Sequence, residues 1–337
     1  MSETLRRSMS SIASPTLWFL TIGVVLALLV VDFIATRRPH EVSMKEAVAW
    51  SAFYVALPLL FGLYVWNAHG GDRGLEYYTG YLVEKTLSVD NLFVFMLLLA
   101  AFAVPEVLKQ RVLLYGIVGA LVLRGIFIAL GAAALSRFDW VFLVFGLVLL
   151  LTGVKLLRDA MSGKDHEVDV ADMRVVKVMK RFMPVSDDYD GAKFTVVKNG
   201  ARALTPFALV TVAVFATDVV FAVDSVPAVY GITGDPYLVF VTNAFALLGL
   251  RALYFVLEGA LGALEHLSYG LAAILGFIGF KLVLHWAHLV WTSVPDVPTL
   301  MSLFVILGIL AITITTSLVA NKQKLQAVSE EELASRR

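Results

Sequence analysis

Glu84-Lys85-Thr86-Leu87-Ser88-Val89-Asp90-Asn91 and Asp218-Val219-Val220-Phe221-Ala222-Val223-Asp224-Ser225 decide the architecture of this chain. Each octapeptide carries two carboxylates six residues apart, the second preceded by Val and followed by a small polar residue, and each lies inside a long apolar run, 75–104 or 204–232. The correspondence continues downstream. The next apolar run carries one arginine, Arg124 or Arg251, and the run after that a Gly-x-Lys, Gly153 to Lys155 or Gly279 to Lys281. Two tandem units of three helices must cross a bilayer in opposite senses, because three is odd. Inverted repeats of this kind place substrate sites near mid-membrane, where the two halves meet.

The rest of the chain agrees with a bilayer setting. Of its 337 residues 59% are hydrophobic and 16% charged, against about 45–50% and about 25% in soluble domains. A hydrocarbon core of roughly 30 Å takes about 20 apolar residues of helix. Runs of that size fall near 16–34, 45–66, 75–104, 112–135, 140–157, 204–232, 237–257, 270–291 and 300–319, which predicts an all-α polytopic integral membrane protein of about nine transmembrane helices. The first run follows Arg6 and Arg7, but no small-residue cleavage pattern precedes Arg37, so it reads as a retained helix. The expected organisation is a tail over 1–15, two peripheral helices within 16–66, a first three-helix repeat over 75–157 and a charged loop over 158–202. A second repeat over 203–291, a last helix over 298–320 and a tail over 321–337 complete it.

Orientation follows the Lys/Arg distribution. With the N-terminus outside, the inner segments hold Arg37, Arg38, Lys45, Lys109, Arg111, the nine basic residues from Arg158 to Arg202, Lys322, Lys324, Arg336 and Arg337. The outer segments hold only Arg6, Arg7, Arg73 and Arg137. The expectation is a plasma-membrane protein with its C-terminus in the cytoplasm. The 27 basic and 27 acidic residues cancel, so net charge points to no nucleic-acid partner, and the absence of cysteine removes disulfides, thiolate metal sites and redox thiols. Asp187, Asp188, Asp190 and Gly191 faintly echo a calcium loop, but Val197 stands where a bidentate Glu belongs, so a solvated loop is expected. Glu330, Glu331 and Glu332 read as a solvated tail, and the His285/His288 pair, flanked by Trp286 and Trp291, as an interfacial feature.

A charge at mid-bilayer costs about 2.5–3.5 kcal/mol on insertion scales, so such residues face a pathway or a partner. Asp32, Glu84, Asp90, Asp218, Asp224 and Glu258 lie in or beside apolar runs, with Lys85, Arg124, Lys155, Arg251 and Lys281 as the cations. On a helix Glu84, Ser88 and Asn91 share one face, as do Asp218 and Ser225, while each second Asp lies about 120° away. Either a break brings both acids of a segment to one ion, or the two acids serve different neighbours. Pro227 supplies a break beside Asp224 by leaving the Val223 carbonyl without its donor; the first segment has no matching proline. The donors within reach, Glu84, Asp90, Asn91, Asp218 and Asp224 with Ser88, Thr217, Ser225 and Asn243, are hard oxygens suited to Mn²⁺, Mg²⁺ or Ca²⁺. Arg124, Arg251, Lys155 and Lys281 are available to pair with acids and hold helices together. Pairing alone gives no reason for two carboxylates to recur at one spacing in both halves. Paired intramembrane aspartates also raise the question of proteolysis, but Ala222-Val223 precede Asp224 where an intramembrane aspartyl protease has Gly-x-Gly, so no enzyme is expected.

Thr79-Gly-Tyr-Leu-Val-Glu-Lys-Thr-Leu-Ser-Val-Asp-Asn-Leu-Phe-Val-Phe95, Ala216-Thr-Asp-Val-Val-Phe-Ala-Val-Asp-Ser-Val-Pro-Ala228 and Asn243-Ala-Phe-Ala-Leu-Leu-Gly-Leu-Arg-Ala-Leu-Tyr254 closely resemble the TerC family of integral membrane proteins. The likeness extends from about residue 16 to 320, with Thr86 a small departure where the family often has Ser. It implies an exporter of Mn²⁺ related to the lysine-exporter superfamily, with Glu84, Asp90, Asn91, Asp218 and Asp224 handling the ion. Mn²⁺ is then cargo, protons a coupling partner, and no cofactor is tightly bound. Tellurite resistance names the family but suggests no chemistry for these residues. Plant relatives in thylakoid membrane-protein assembly keep open a scaffold or insertion role without transport.

Overall fold

The computed structural model describes residues 11–35, 42–162, 173–186, 188–198, 201–258, 266–291 and 293–335. Lipid offers no hydrogen-bond partners, so a spanning backbone must satisfy itself internally, and each of the nine apolar runs is helical. The helices are α1 (Pro15–Ala35), α2 (Met44–His69), α3 (Gly71–Ala101), α4 (Glu106–Leu135), α5 (Trp140–Ser162), α6 (Arg174–Phe182), α7 (Pro206–Tyr230), α8 (Pro236–Leu248), α9 (Leu250–Glu258), α10 (Leu267–Val290) and α11 (Thr299–Ser335). A hairpin of β1 (Thr195–Lys198) and β2 (Ala201–Leu204) stands before α7.

Among the described residues, seven helices are long and apolar enough to cross a membrane: α1, α2, α4, α5, α7, α10 and Thr299–Gln323 of α11. The pair α8 and α9, bent by 43°, is together long and apolar enough for an eighth span or a re-entrant loop. The ninth run, α3, is 31 residues and so about 46 Å long, enough to cross, but it carries Asp72, Arg73, Glu76, Glu84, Lys85 and Asp90. Sixteen of those 31 residues are buried, so protein rather than lipid surrounds much of this charged helix. The most enclosed element is α8, with 11 of its 13 residues buried. The outer windows of α1 and α11 are only 17% buried, the exposure expected of helices facing acyl chains.

The two units are related by an exchange visible in single contacts. A Cβ on Gly279 in α10 would stand 2.8 Å from the Gly146 carbonyl oxygen in α5, and one on Gly153 would stand 3.1 Å from that of Ala272. Gly153 and Gly279 lie 126 residues apart in the chain, and so do Gly146 and Ala272. Swapping the repeats therefore maps one contact onto the other. As numbers rise along α5 they fall along α10, so these equivalent helices run antiparallel, as an inverted repeat demands. Small residues let the two backbones touch, the usual means of packing helices where lipid removes a hydrophobic drive. The other helices follow the same exchange, α3 packing on α8 and α4 on α7.

Two expected features lie elsewhere. Helix α7 continues to Tyr230 through Pro227, which falls in its last turn, so only one turn bears the cost of the missing N–H. The break sits instead at Gly249. Nearby, the Lys85 ammonium donates to the Ala246 carbonyl at 3.5 Å, placing a cation at the C-terminal end of α8. The loop before α7 is also more structured than a solvated linker. Ser186 donates to the Leu204 carbonyl at 2.8 Å, and Leu204 donates to that of Pro184 at 2.8 Å. The Tyr189 hydroxyl donates to the Phe102 carbonyl at 2.8 Å. Of the calcium-like stretch, Asp187 lies outside the described residues, and Asp190 forms an exposed pair with Lys193 at 2.8 Å. The tail expected from 321 begins as a continuation of α11.

Candidate ion site at the repeat interface

Glu84 stands thirteen residues into α3 and Asp218 twelve into α7, about 18–20 Å of helix from each start. The first helices of opposite units thus bring one carboxylate each to mid-depth. Arg124 of α4 reaches between them. Its Nη1 donates to Glu84 Oε1 and, at 3.1 Å, to Asn243 Oδ1 of α8. Its Nη2 donates to Asp218 Oδ1 at 3.2 Å. With the Asn91 amide oriented so that its nitrogen donates to the Leu87 carbonyl at 3.1 Å, its oxygen accepts from Nη2 at 3.1 Å.

The cluster is buried but incompletely satisfied within the protein. Glu84, Ser88 and Arg124 are 0% exposed, and Asp218, Ser225, Asn243 and Asn91 are buried with them. Glu84 Oε2, Asp218 Oδ2, Ser88 Oγ, Ser225 Oγ and Arg124 Nε have no hydrogen-bond partner among the described residues. Buried polar atoms normally find partners, and orphans collected at one point mark a site with spare coordinating capacity. Both predicted helical faces, Glu84/Ser88/Asn91 and Asp218/Ser225, are the ones turned inward.

The second acids behave differently. Asp90 and Asp224 are half-buried, and Asp224 lies within electrostatic reach of Arg124 and Asp218. The Thr217 hydroxyl is spent on the Ala213 carbonyl of its own helix, at 2.9 Å. Among the described residues, no three His, Cys, Asp or Glu side chains form a ready metal-binding group. The remaining oxygens here are amides and hydroxyls.

Residues 69–325 match the model of the integral membrane protein TerC family. The chain belongs to the TerC family. It is similar to an uncharacterized membrane protein of Myxococcus xanthus, 41% identical over 313 residues that cover 93% of this chain and 95% of that one. An uncharacterized membrane protein of Mycobacterium tuberculosis is 44% identical over 278 residues, 82% of this chain and 70% of that one. Alx of Escherichia coli K12, whose name describes a membrane-bound redox modulator, is 41% identical over 316 residues, 90% of this chain and 95% of its own. No solved structure matches this TerC chain.

The other cations of this TerC protein serve other places. Arg251, the repeat counterpart of Arg124, donates to Asp32 Oδ1 of α1 at 2.9 Å and to Gln110 Oε1 of α4 at 3.0 Å. It pins a peripheral helix to the core. That role was hidden in the sequence, because Asp32 lies outside both repeats and 219 residues from its partner. Lys155 is exposed and takes no part in the cluster. Glu258 pairs with Lys109 at 2.7 Å.

Lys281 is buried beside a cavity of about 420 Å³ that Asp72, Glu76, Thr233, His285 and Asp296 also line. Glu76 stands eight residues before Glu84 on α3, about 12 Å of helix, and no residue of the Arg124 cluster lines this cavity. Sequence reading passed over this cavity because its acids, at helix ends and in loops, looked solvated. His285 pairs there with Asp296 at 3.0 Å, and His288 Nδ1 meets the Val294 carbonyl at 2.5 Å, so both histidines tie down the loop after α10.

That loop carries a pH dependence. Burial alone would push the Asp296 carboxyl up, but the His285 hydrogen bond and charge, the Val297 N–H and Lys281 more than offset it and hold the group below its ordinary value. A depressed folded-state pKa stabilises above the unfolded value of about 3.9 and stops doing so as pH falls through the lower folded value. Once the intrinsic pH dependence of amide exchange is divided out, opening of 293–298 is therefore expected to stay rare at pH 5–7 and to become more frequent below about pH 4, read as faster exchange relative to unprotected amides. Asp296→Asn should show the faster exchange already at neutral pH.

Proposed function

We propose that this TerC protein is a secondary transporter that exports a hard divalent cation, with Mn²⁺ the leading candidate, across the plasma membrane, with its N-terminus outside and C-terminus in the cytoplasm. One observation carries the reading. A carboxylate from each inverted repeat, Glu84 and Asp218, converges at mid-depth on a single buried point, and the outer oxygen of each has no partner. Two structural ion pairs would have had a separate cation each; here both acids share one. Asn91, Asn243, Ser88 and Ser225 add only oxygen donors, the set preferred by Mn²⁺, Mg²⁺ and Ca²⁺.

The reading makes Mn²⁺ cargo and gives the chain no enzymatic activity and no tightly held cofactor. Alternating access would move the two units around the cluster, with an inward proton gradient returning protons to the acids as the metal leaves. The redox term in the Escherichia coli relative's name finds no thiol here, since the chain has no cysteine. An influence on redox state would then pass through the metal.

Inside-out vesicles carrying the parent protein are expected to accumulate Mn²⁺ well above empty vesicles. Asp218→Asn is expected to cut that uptake at least tenfold, and Asp224→Asn and Asp90→Asn less. A scaffold or insertion factor would tolerate all three amides, so unchanged uptake in Asp218→Asn removes the exporter reading.

A further inference from the structure

The guanidinium at the centre of the cluster occupies the place a transported cation needs. Arg124 is 0% exposed, and its contacts are Glu84 and Asn91 from α3, Asp218 from α7 and Asn243 from α8. Every one of those is an oxygen donor of the proposed site. We infer that Arg124 is a tethered stand-in for the substrate, holding Glu84 and Asp218 together when no divalent ion is bound and leaving their midst when one binds. The inference rests on the transport reading above.

Charge counting separates this arginine from an ordinary helix tie. Arg251 meets one carboxylate, Asp32, and one neutral amide, Gln110, so its charge is balanced. Arg124 meets two carboxylates and balances one. A divalent ion would balance both, so the pair is matched to a 2+ charge and underserved by a 1+ charge. The neighbouring charges do not alter that sign. Asp224 adds negative charge within reach, and the Lys85 ammonium is directed at the Ala246 carbonyl and Gly249.

The grip is also partial. Glu84 and Asp218 each offer Arg124 a single oxygen, and the second oxygen of each finds no partner among the described residues. The oxygens left over are those with which a cation could begin to bind. Coordination by these acids at roughly 2.0–2.6 Å would bring the ion within a few ångströms of the guanidinium. A guanidinium keeps its charge in proteins, so it cannot yield by losing a proton as a lysine can. It has to move. The same exchange lets the transporter return without cargo, because the two acids are never left facing each other bare in a low-dielectric interior.

The sign of one measurement tests the idea. Mn²⁺ binding to the purified full chain in nanodiscs would be compared, by equilibrium dialysis, between the parent, Arg124→Met and Arg124→Lys. Removing the tethered competitor is expected to tighten Mn²⁺ binding at least tenfold in Arg124→Met while vesicle uptake falls at least tenfold, since the ion then has nothing to displace it. Arg124→Lys retains a cation for the two acids and so preserves the fold; with one point charge that can release its proton, it should bind Mn²⁺ several-fold tighter than the parent. A positioning role predicts the opposite sign, with both variants binding Mn²⁺ more weakly. Equal or weaker binding in Arg124→Lys overturns the stand-in role and leaves the exporter reading intact if the parent still binds and transports Mn²⁺. Absence of Mn²⁺ binding in the parent and both variants overturns the two readings together.

Discussion

Gly279→Val is expected to leave little folded protein in the membrane, while Gly276→Ala, one turn away, should accumulate at or above the level of the parent. The difference lies in what a side chain would meet. At Gly279 a Cβ would come within 2.8 Å of the Gly146 carbonyl oxygen, 3.0 Å of Leu149 Cβ and 3.0 Å of Leu150 Cγ. A backbone carbonyl cannot swing aside as a side chain can, so α5 and α10 would have to separate along the seam that joins the two repeats. Forcing extra volume into packed interiors costs about 1–3 kcal/mol and occasionally more, and two valine methyls against a backbone belong at the upper end. At Gly276 nothing lies within 4 Å of the added carbon, and alanine improves helix propensity by up to about 1 kcal/mol. Thermal unfolding followed by size-exclusion chromatography in detergent would check both. A valine at 279 that unfolds at the parent's temperature would mean the seam is looser than these contacts require.

The seam was partly legible in advance. Gly-x-Lys occurs once in each three-helix repeat, and its placement after matching arginines announced units that cross the membrane in opposite senses. Carboxylate faces were legible too, because helical periodicity alone puts Glu84, Ser88 and Asn91 together, and α3 runs unbroken through them. Long-range pairing was not. Arg124 and Arg251 look equivalent along the chain, yet one joins acids from both repeats and the other reaches out of the repeat to Asp32. Gly249 gave no local sign of a helix break beyond its own small size, since the Lys85 ammonium near the end of α8 lies 161 residues before the carbonyl it meets. Pro227 gave a strong local sign, but so close to the end of α7 that the helix has only one turn left to disturb. Local chemistry therefore located the apolar helices and the carboxylate faces, but missed the short helix and hairpin between α5 and α7 and the break at Gly249, and failed where the partner of a charge or a carbonyl comes from a distant helix.

Asp32→Asn and Glu84→Gln are expected to fail in opposite ways, although each removes one buried carboxylate from one buried arginine. Asp32 is 1% exposed and is the acid that balances Arg251, itself 3% exposed. Its loss strands a buried cation, and breaking such a pair costs about 3–5 kcal/mol. Asp32→Asn should therefore lower the unfolding temperature and the yield in the membrane, while Mn²⁺ uptake per folded molecule stays near that of the parent. Glu84→Gln leaves Arg124 with Asp218, one cation for one anion, and keeps an oxygen where Nη1 can still donate. Stability should change little or rise, because an excess buried charge has been removed, but the site can no longer neutralise a divalent ion and Mn²⁺ uptake should fall at least tenfold. Measuring unfolding temperature and uptake on the same preparations places each variant in one quadrant. If Glu84→Gln proved the less stable of the two and transported normally, the roles of the arginines would be exchanged: Arg124 would be the tie that holds the bundle, and the paired carboxylates would be its anchors rather than ligands for an ion.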